Sequence, residues 1–201
     1  MVFLDQAFAA LGRARTHAEA NLADAEGLLS HYVEEKLDEA CGDVLTLQEL
    51  LDCGAITGHL DGNHGIDYPR KEEFVAEGVP YISANCIVNQ EIDFGRAKFL
   101  TEQRAAKMKK AVAKDGDVIF AHNATVGPVA ILRTGSERVI LSTSVTYYRC
   151  DQGRIVPEFL AYEMRGTSFR RQYEAVMAQA TRNQVPITAQ RRLTHMIPSI
   201  D

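Results

Sequence analysis

The side chains most suited to chemistry lie in the segment HLDGNHG. His59, Asp61 and His64 place two imidazoles and a carboxylate close together, and these are donors that zinc and related ions accept. A calcium loop beginning at Asp61 is excluded, because its sixth position requires glycine and holds Ile66. The spacing indicates no further ligand elsewhere. We therefore predict a polar recognition or turn loop without metal, and keep a metal-dependent enzyme using these three residues as the less favoured alternative.

Motifs of several common enzyme classes are missing from the sequence. There is no G-x-x-x-x-G-K-[ST] loop, no G-x-G-x-x-G after a strand, no H-E-x-x-H and no G-x-S-x-G. The Asn/Asp-Pro-Pro-aromatic stretch typical of amino-methyltransferases is absent too. The four cysteines are separated by 12, 33 and 64 positions, so no C-x-x-C pair indicates a zinc ribbon or a redox dithiol. These absences argue against nucleotide-driven motors, zinc proteases and serine hydrolases.

Charge is unevenly distributed along the chain. The net charge of −5 arises from residues 1–45, with nine acids and three bases, whereas residues 46–201 have eighteen acids and nineteen bases. Residues 96–117 have seven bases against three acids, and residues 165–192 have six against one. Two basic stretches on a nearly neutral domain suit a local anionic partner, although solvated helix faces would give the same pattern.

The first 38 residues show the pattern of one long helix. Apolar and small residues alternate at spacings of four and three, which is a heptad seam, interrupted by Arg15 and Lys36. A helix of this length spans roughly 50 Å and cannot bury such a seam on a small domain alone, so it needs a partner helix. The residues predicted for this subunit-assembly seam are Leu4, Phe8, Leu11, Ala18, Leu22, Ala25, Leu29 and Tyr32.

The remaining sequence alternates between strand and helix patterns. Thr46 and Glu49 form a capping box for a short helix, and Pro157 suits the first position of another. We predict a loop over 54–71, a helix over 101–113 and one continuous strand over 139–150. The fold class predicted is α+β: residues 1–40 form a long coiled-coil helix, and residues 44–201 form a mixed α/β domain.

No apolar run reaches the roughly 18 to 20 residues that span a bilayer, and the N-terminus lacks the features of a signal peptide. We therefore predict a cytoplasmic protein with no membrane partner.

The order of the segments resembles the specificity subunit of type I restriction–modification systems. Residues 4–37 are similar to the coiled-coil helix that precedes a target recognition domain in that family. The following segments are similar, in order, to the blocks of one such domain: DGNHGIDYP, GVPYISANCI, KFLTEQRAAKM, GDVIFAHNATVGPVAIL, LSTSVTYYR and TRNQVPITAQRRLTHMIPSI. The resemblance covers nearly the whole chain.

The resemblance implies a non-catalytic subunit without a cofactor. Such a subunit recognises a bipartite sequence in double-stranded DNA, each recognition domain contacting one half, and docks methyltransferase (modification) subunits; the restriction subunit joins indirectly. This chain departs from the pattern in having one recognition domain and no second helix before Asp201. We expect a fragment, with a half-subunit that pairs with a second copy as the alternative; the helix partner then comes from the same subunit or from a homodimer.

Polar side chains of the predicted loops are the candidates for contacting DNA. Arginine and lysine can bind guanine or phosphate, and asparagine and glutamine can bind adenine. The candidates are Asn63, His64, Arg70, Lys71, Asn85, His122, Asn123, Thr125, Thr181, Arg182, Asn183 and Gln184. An alternative function, a coiled-coil adaptor whose globular domain binds protein, shares the helix but requires no binding of DNA.

Overall fold

The structure, a computed structural model, describes residues 2–39, 42–62 and 68–197. The chain divides into two compact units, Met1–Ala40 and Cys41–Asp201. In the first unit, helix α1 (Val2–Glu39) is continuous, which confirms the single helix predicted there. The six large seam side chains from Leu4 to Tyr32 are 57–66% exposed. Arg15, a departure from the apolar seam, pairs within its own helix with Glu19 at 2.7 Å.

The second unit contains thirteen strands and five α-helices within the described residues. The strands are β1 (Asp43–Thr46), β2 (Ile56–Asp61), β3 (Phe74–Val75), β4 (Val79–Ile82), β5 (Ile87–Val88), β6 (Glu91–Ile92), β7 (Lys98–Leu100), β8 (Val112–Ala113), β9 (Val118–Asn123), β10 (Thr125–Ile131), β11 (Val139–Leu141), β12 (Val145–Cys150) and β13 (Thr194–Ile197). The helices are α2 (Leu47–Asp52), α3 (Glu102–Ala105), α4 (Pro157–Arg165), α5 (Thr167–Ala178) and α6 (Ile187–Gln190). A long helix followed by a sheet-rich domain confirms the predicted α+β class.

Two sheets organise this unit. The first is antiparallel with strand order β10-β9-β12-β2, and the second is mixed with order β3-β7-β4-β11-β8. Strands β4 and β11 of the second sheet run parallel, so their carboxyl ends lie side by side. Strands β1 and β13 pair as a separate antiparallel ribbon, which joins the first and last strands of the unit.

The central strand β9 is buried on both faces. Val118 and Phe120 belong to one apolar cluster, which includes Phe169 of α5, while the alternate residues Ile119 and Ala121 belong to another. Successive side chains of a strand point to opposite faces, so this alternation places β9 between two apolar layers. Its ends, rather than its faces, are therefore where polar side chains can reach a partner.

Local capping signals predicted helix starts well. The Thr46 hydroxyl accepts a hydrogen bond from the Glu49 amide at 3.2 Å, and the Glu49 carboxylate accepts one from the Thr46 amide at 2.7 Å. Pro157 occupies the beginning of α4 as predicted. Within the described residues, no helix has both the length and the apolarity needed to cross a membrane.

Three sequence predictions about secondary structure are wrong. The loop predicted over 54–71 contains strand β2, which pairs with β12. The helix predicted over 101–113 ends after α3, because Val112 and Ala113 pair with β11 instead. The single strand predicted over 139–150 is broken into β11 and β12 by a turn at 142–144. There, the Ser142 hydroxyl accepts a hydrogen bond from the Ser144 amide at 3.2 Å, which favours a turn over an extended chain.

Candidate nucleic-acid interface

The β9–β10 hairpin and the segment 181–184, here called the late loop, are in direct contact. The hairpin turns at Ala124, which has a φ of +64°. The Ala124 amide donates to the Asn183 carbonyl at 3.0 Å, and the Asn183 side-chain amide donates to the Ala124 carbonyl at 2.7 Å. Asn123 and Gln184 form an additional β-bridge. Two segments nearly 60 positions apart are thus held together by paired hydrogen bonds.

His122 fixes the end of the late loop. It is completely buried, its Nδ1 donates to the Val185 carbonyl at 3.1 Å, and its own carbonyl accepts from the Val185 amide at 2.8 Å. A side chain without exposed surface cannot reach a base from this position. The geometry therefore gives His122 a positioning function, and leaves contact with a ligand to its neighbours.

The turn at 142–144 joins two further segments to the hairpin. Gly62, at the end of β2, lies so close to it that an added Cβ would be 2.0 Å from the Ser142 carbonyl carbon and oxygen. Only a residue without a Cβ permits this approach. On another side, the Ala84 amide donates to the Ser144 hydroxyl at 2.9 Å, which places the neighbouring Asn85 at the same end of the unit. Sequence reasoning missed this turn because the β-branched pattern predicted a continuous strand.

Most candidates at this end of the first sheet are accessible. Thr125, Asn85 and the first three residues of the late loop are exposed, whereas Asn123 and Gln184 are half-buried. The Asn123 side-chain amide donates to the Thr143 carbonyl at 3.4 Å. Hydroxyl, amide and guanidinium groups therefore surround a rigid strand end, an arrangement suited to hydrogen bonding with base edges.

Arg70 and Lys71 belong to a different region. They precede β3, whose first residue Phe74 pairs with Leu100 beside the beginning of β4, whereas Asn85 follows the end of β4. A cleft of about 390 Å³ lies there. It is lined by Tyr68, Arg70, Glu72, Glu73, Arg104 and Lys107. Arg104 pairs with Glu73 at 2.7 Å, so acids balance much of the positive charge. Asn63 and His64 lie outside the described residues.

Within the described residues, no group of three or more His, Cys, Asp or Glu side chains is placed to hold a metal ion, and His64, one of the three candidate ligands, lies outside them. His59 is 3% exposed, and its Nε2 donates to the Gln190 side-chain oxygen at 3.0 Å. That oxygen also accepts from the hydroxyls of Thr146 and Tyr148, each at 3.0 Å. The Gln190 amide nitrogen in turn donates to the Val185 carbonyl at 2.9 Å. His59 therefore belongs to a buried network that ties the first sheet to the late loop.

The burial of His59 predicts a pH-dependent stability. Desolvation, opposed by the hydrogen bond to Gln190, lowers the pKa of His59 from 6.5 to about 4. The unfolded chain then binds a proton as the pH falls below 6.5, while the folded chain stays neutral at His59 until about pH 4. Stability present above pH 6.5 is thus lost on acidification, by about 3 kcal/mol at the acid end of this window.

This prediction is checked by urea unfolding across that pH window for the wild type and His59→Gln, which retains a donor for Gln190. The difference between the two curves isolates His59 from other titrating groups. The variant is expected to lose less stability on acidification. Parallel curves for the two proteins would contradict the assignment.

Three solved structures share this fold. One is the HsdS subunit from Thermoanaerobacter tengcongensis, with a TM-score of 0.54, 12% identity, and coverage of 92% of this chain and 44% of that one. A second is the type I restriction–modification S subunit from M. genitalium, with a TM-score of 0.53 and 15% identity. The match covers 87% of this chain and 39% of that one. A third comes from work on the complex assembly and conformational transition of the type I R-M system, with a TM-score of 0.55 and 13% identity. The match covers 92% of this chain and 45% of that one.

At the level of sequence, no family profile and no curated protein matches the chain. The chain spans less than half the length of each of the three structures. The fold that the sequence resemblance implies is nevertheless confirmed over 87–92% of the chain. The chain has the fold of type I restriction–modification specificity subunits, over less than half the length of one such subunit.

Proposed function

We propose that this chain is a non-catalytic DNA-recognition subunit, or part of one, in a type I restriction–modification system. It contacts one half of a bipartite target in double-stranded DNA. The observation that supports this best is the convergence of Asn85, the β9–β10 hairpin and the late loop at one end of a rigid sheet, in a chain with the specificity-subunit fold. Base recognition needs such polar groups on a fixed frame.

Helix α1 has a different function in this proposal. Its apolar seam is exposed in the single chain, and a partner helix would cover it. That helix belongs to the same subunit or to a second copy, and the assembled helices dock methyltransferase subunits. The restriction subunit associates through that complex. The acidic balance of residues 1–45 separates this function from DNA contact, which falls to the nearly neutral remainder.

The proposal is tested by co-purification of the chain with a type I methyltransferase subunit, followed by binding to random duplexes over a salt series. We expect a stable complex that selects one short motif, with affinity that falls as salt rises. A helix that self-associates without recruiting the methyltransferase, together with no retention of DNA at low salt, would favour a protein-binding adaptor instead.

Arg182→Ala is expected to weaken binding to the selected duplex by about 1–3 kcal/mol, because the guanidinium can form paired hydrogen bonds with guanine. Arg182 is exposed in the late loop. The matched control is Arg133→Ala: Arg133 is exposed, follows the far end of β10 and pairs with Glu158. Equilibrium binding to the selected and a scrambled duplex measures the effect. Unchanged discrimination in Arg182→Ala would remove Arg182 from the interface.

A further inference from the structure

The turn at 142–144 is the point where the segments of the candidate interface meet. Its backbone is fixed on several sides: the Ser142 amide donates to the Ile82 carbonyl at 2.8 Å, and the Ser144 carbonyl accepts from the His122 amide at 3.0 Å. Gly62 packs directly against it. A side chain on this turn is therefore held in a defined position relative to the hairpin.

The three hydroxyls of the turn are used differently. Those of Ser142 and Ser144 are 2.7 Å apart and bond to each other, and the Ser144 hydroxyl also accepts from the Ala84 amide. Both serines therefore maintain the turn itself. Thr143 lies between them, is half-buried, and its hydroxyl has no hydrogen-bond partner within the part of the chain that the structure describes. Among the described residues, the turn thus presents one hydroxyl that its own hydrogen bonds do not use.

Thr143 is also adjacent to a candidate already identified. Its carbonyl accepts from the Asn123 side-chain amide at 3.4 Å, so the backbone of Thr143 contacts the tip of the hairpin. Asn123 is joined by its β-bridge to Gln184 of the late loop. Thr143 therefore lies among the side chains proposed to contact bases. The sequence did not indicate this, because residues 139–150 have the pattern of one continuous strand.

We propose that Thr143 is a specificity-determining residue, whose hydroxyl forms a hydrogen bond with the edge of one base pair in the half-target. This inference rests on the proposed function. A threonine hydroxyl both donates and accepts, so it can bond to base edges of either kind. Its fixed backbone means that little conformational freedom is lost when the bond forms.

The test uses the full chain and duplexes selected from a randomised library, with each base pair of the selected motif then changed in turn. Thr143→Val removes the hydroxyl and keeps the shape. We expect it to reduce the preference at one base-pair position by about 2- to 12-fold, the size of one hydrogen bond, and to leave binding to random duplexes at low salt unchanged. The control is Thr57→Val, since Thr57 is exposed at the other end of the first sheet, where its hydroxyl donates to the Arg149 carbonyl at 3.2 Å.

A second pair of variants guards against misfolding of Thr143→Val. Thr143→Ser and Thr143→Ala differ by the hydroxyl alone, and serine is expected to keep the preference that alanine loses. Equal discrimination by these two variants, or wild-type discrimination in Thr143→Val, overturns the assignment of Thr143 while the proposed function stands. A wild-type chain that selects no motif overturns the proposed function, and this inference with it.

Discussion

Gln190→Leu is expected to lower the free energy of unfolding by about 5 kcal/mol, because it leaves three buried donors without their acceptor. The Gln190 side-chain oxygen accepts from His59 Nε2, the Thr146 hydroxyl and the Tyr148 hydroxyl, each at 3.0 Å. His59, Thr146 and Tyr148 are each at most 3% exposed, so water does not replace the lost bonds. Leucine has a similar volume, which limits any contribution from a cavity.

The same substitution is expected to loosen the candidate interface. The Gln190 amide nitrogen donates to the Val185 carbonyl, and Val185 follows the late loop directly. In the folded fraction, discrimination between selected and scrambled duplexes should therefore fall although Gln190 itself is fully buried. This would distinguish a positioning residue from one that contacts the ligand.

Urea unfolding measures the loss of stability. Gln179→Leu is the matched control, since Gln179 is exposed at the end of α5 and is expected to change stability by less than about 0.5 kcal/mol. A loss in Gln179→Leu as large as the one expected for Gln190→Leu, or a loss below about 1 kcal/mol in Gln190→Leu, would contradict the hydrogen-bond network around Gln190.

Local signals account for what the sequence predicted correctly. The capping box of Thr46 with Glu49 and the proline at the start of α4 depend on neighbouring residues alone, and both were identifiable before the fold was known. The heptad seam of α1 is equally local. By contrast, Gln190 meets His59 across 131 positions, and no periodicity indicates that contact.

The arrangement of the candidate interface could not be predicted from the sequence, because it too depends on contacts between distant positions. Polar composition singled out both the hairpin residues and the late loop, yet the bond between Asn183 and Ala124 joins positions 59 apart. The turn at 142–144 was hidden because valine, threonine and tyrosine around it favour strands. Serine hydroxyls that bond to the backbone override this preference locally. The sequence thus predicted which polar loops are candidates for contacting DNA, but not how the fold arranges them.

Arg149→Ala is expected to lower the free energy of unfolding by about 4 kcal/mol, because it leaves a buried carboxylate unpaired. Asp117 is 2% exposed, and Arg149 donates to both of its oxygens, from Nε at 2.9 Å and from Nη2 at 2.7 Å. The hydrogen bond to Asp117 raises the pKa of Arg149, so the guanidinium stays charged. The guanidinium also stacks 4.7 Å from the Tyr147 ring centre and donates to the Val112 carbonyl.

Two comparisons separate this effect from a general sensitivity to loss of ion pairs. Arg133→Ala breaks an exposed pair with Glu158 and should cost less than about 1 kcal/mol. The double variant Arg149→Met with Asp117→Leu removes the buried charge together with its partner, so it should be more stable than Arg149→Ala alone. Urea unfolding of the wild type, Arg149→Ala, Arg133→Ala and the double variant provides the measurement. Equal losses of stability in Arg149→Ala and in the double variant would contradict the assignment of a buried, paired charge. Arg149 lies near the end of β12 opposite to Thr143, so the folded fraction of Arg149→Ala should keep its preference among duplexes, unlike Gln190→Leu.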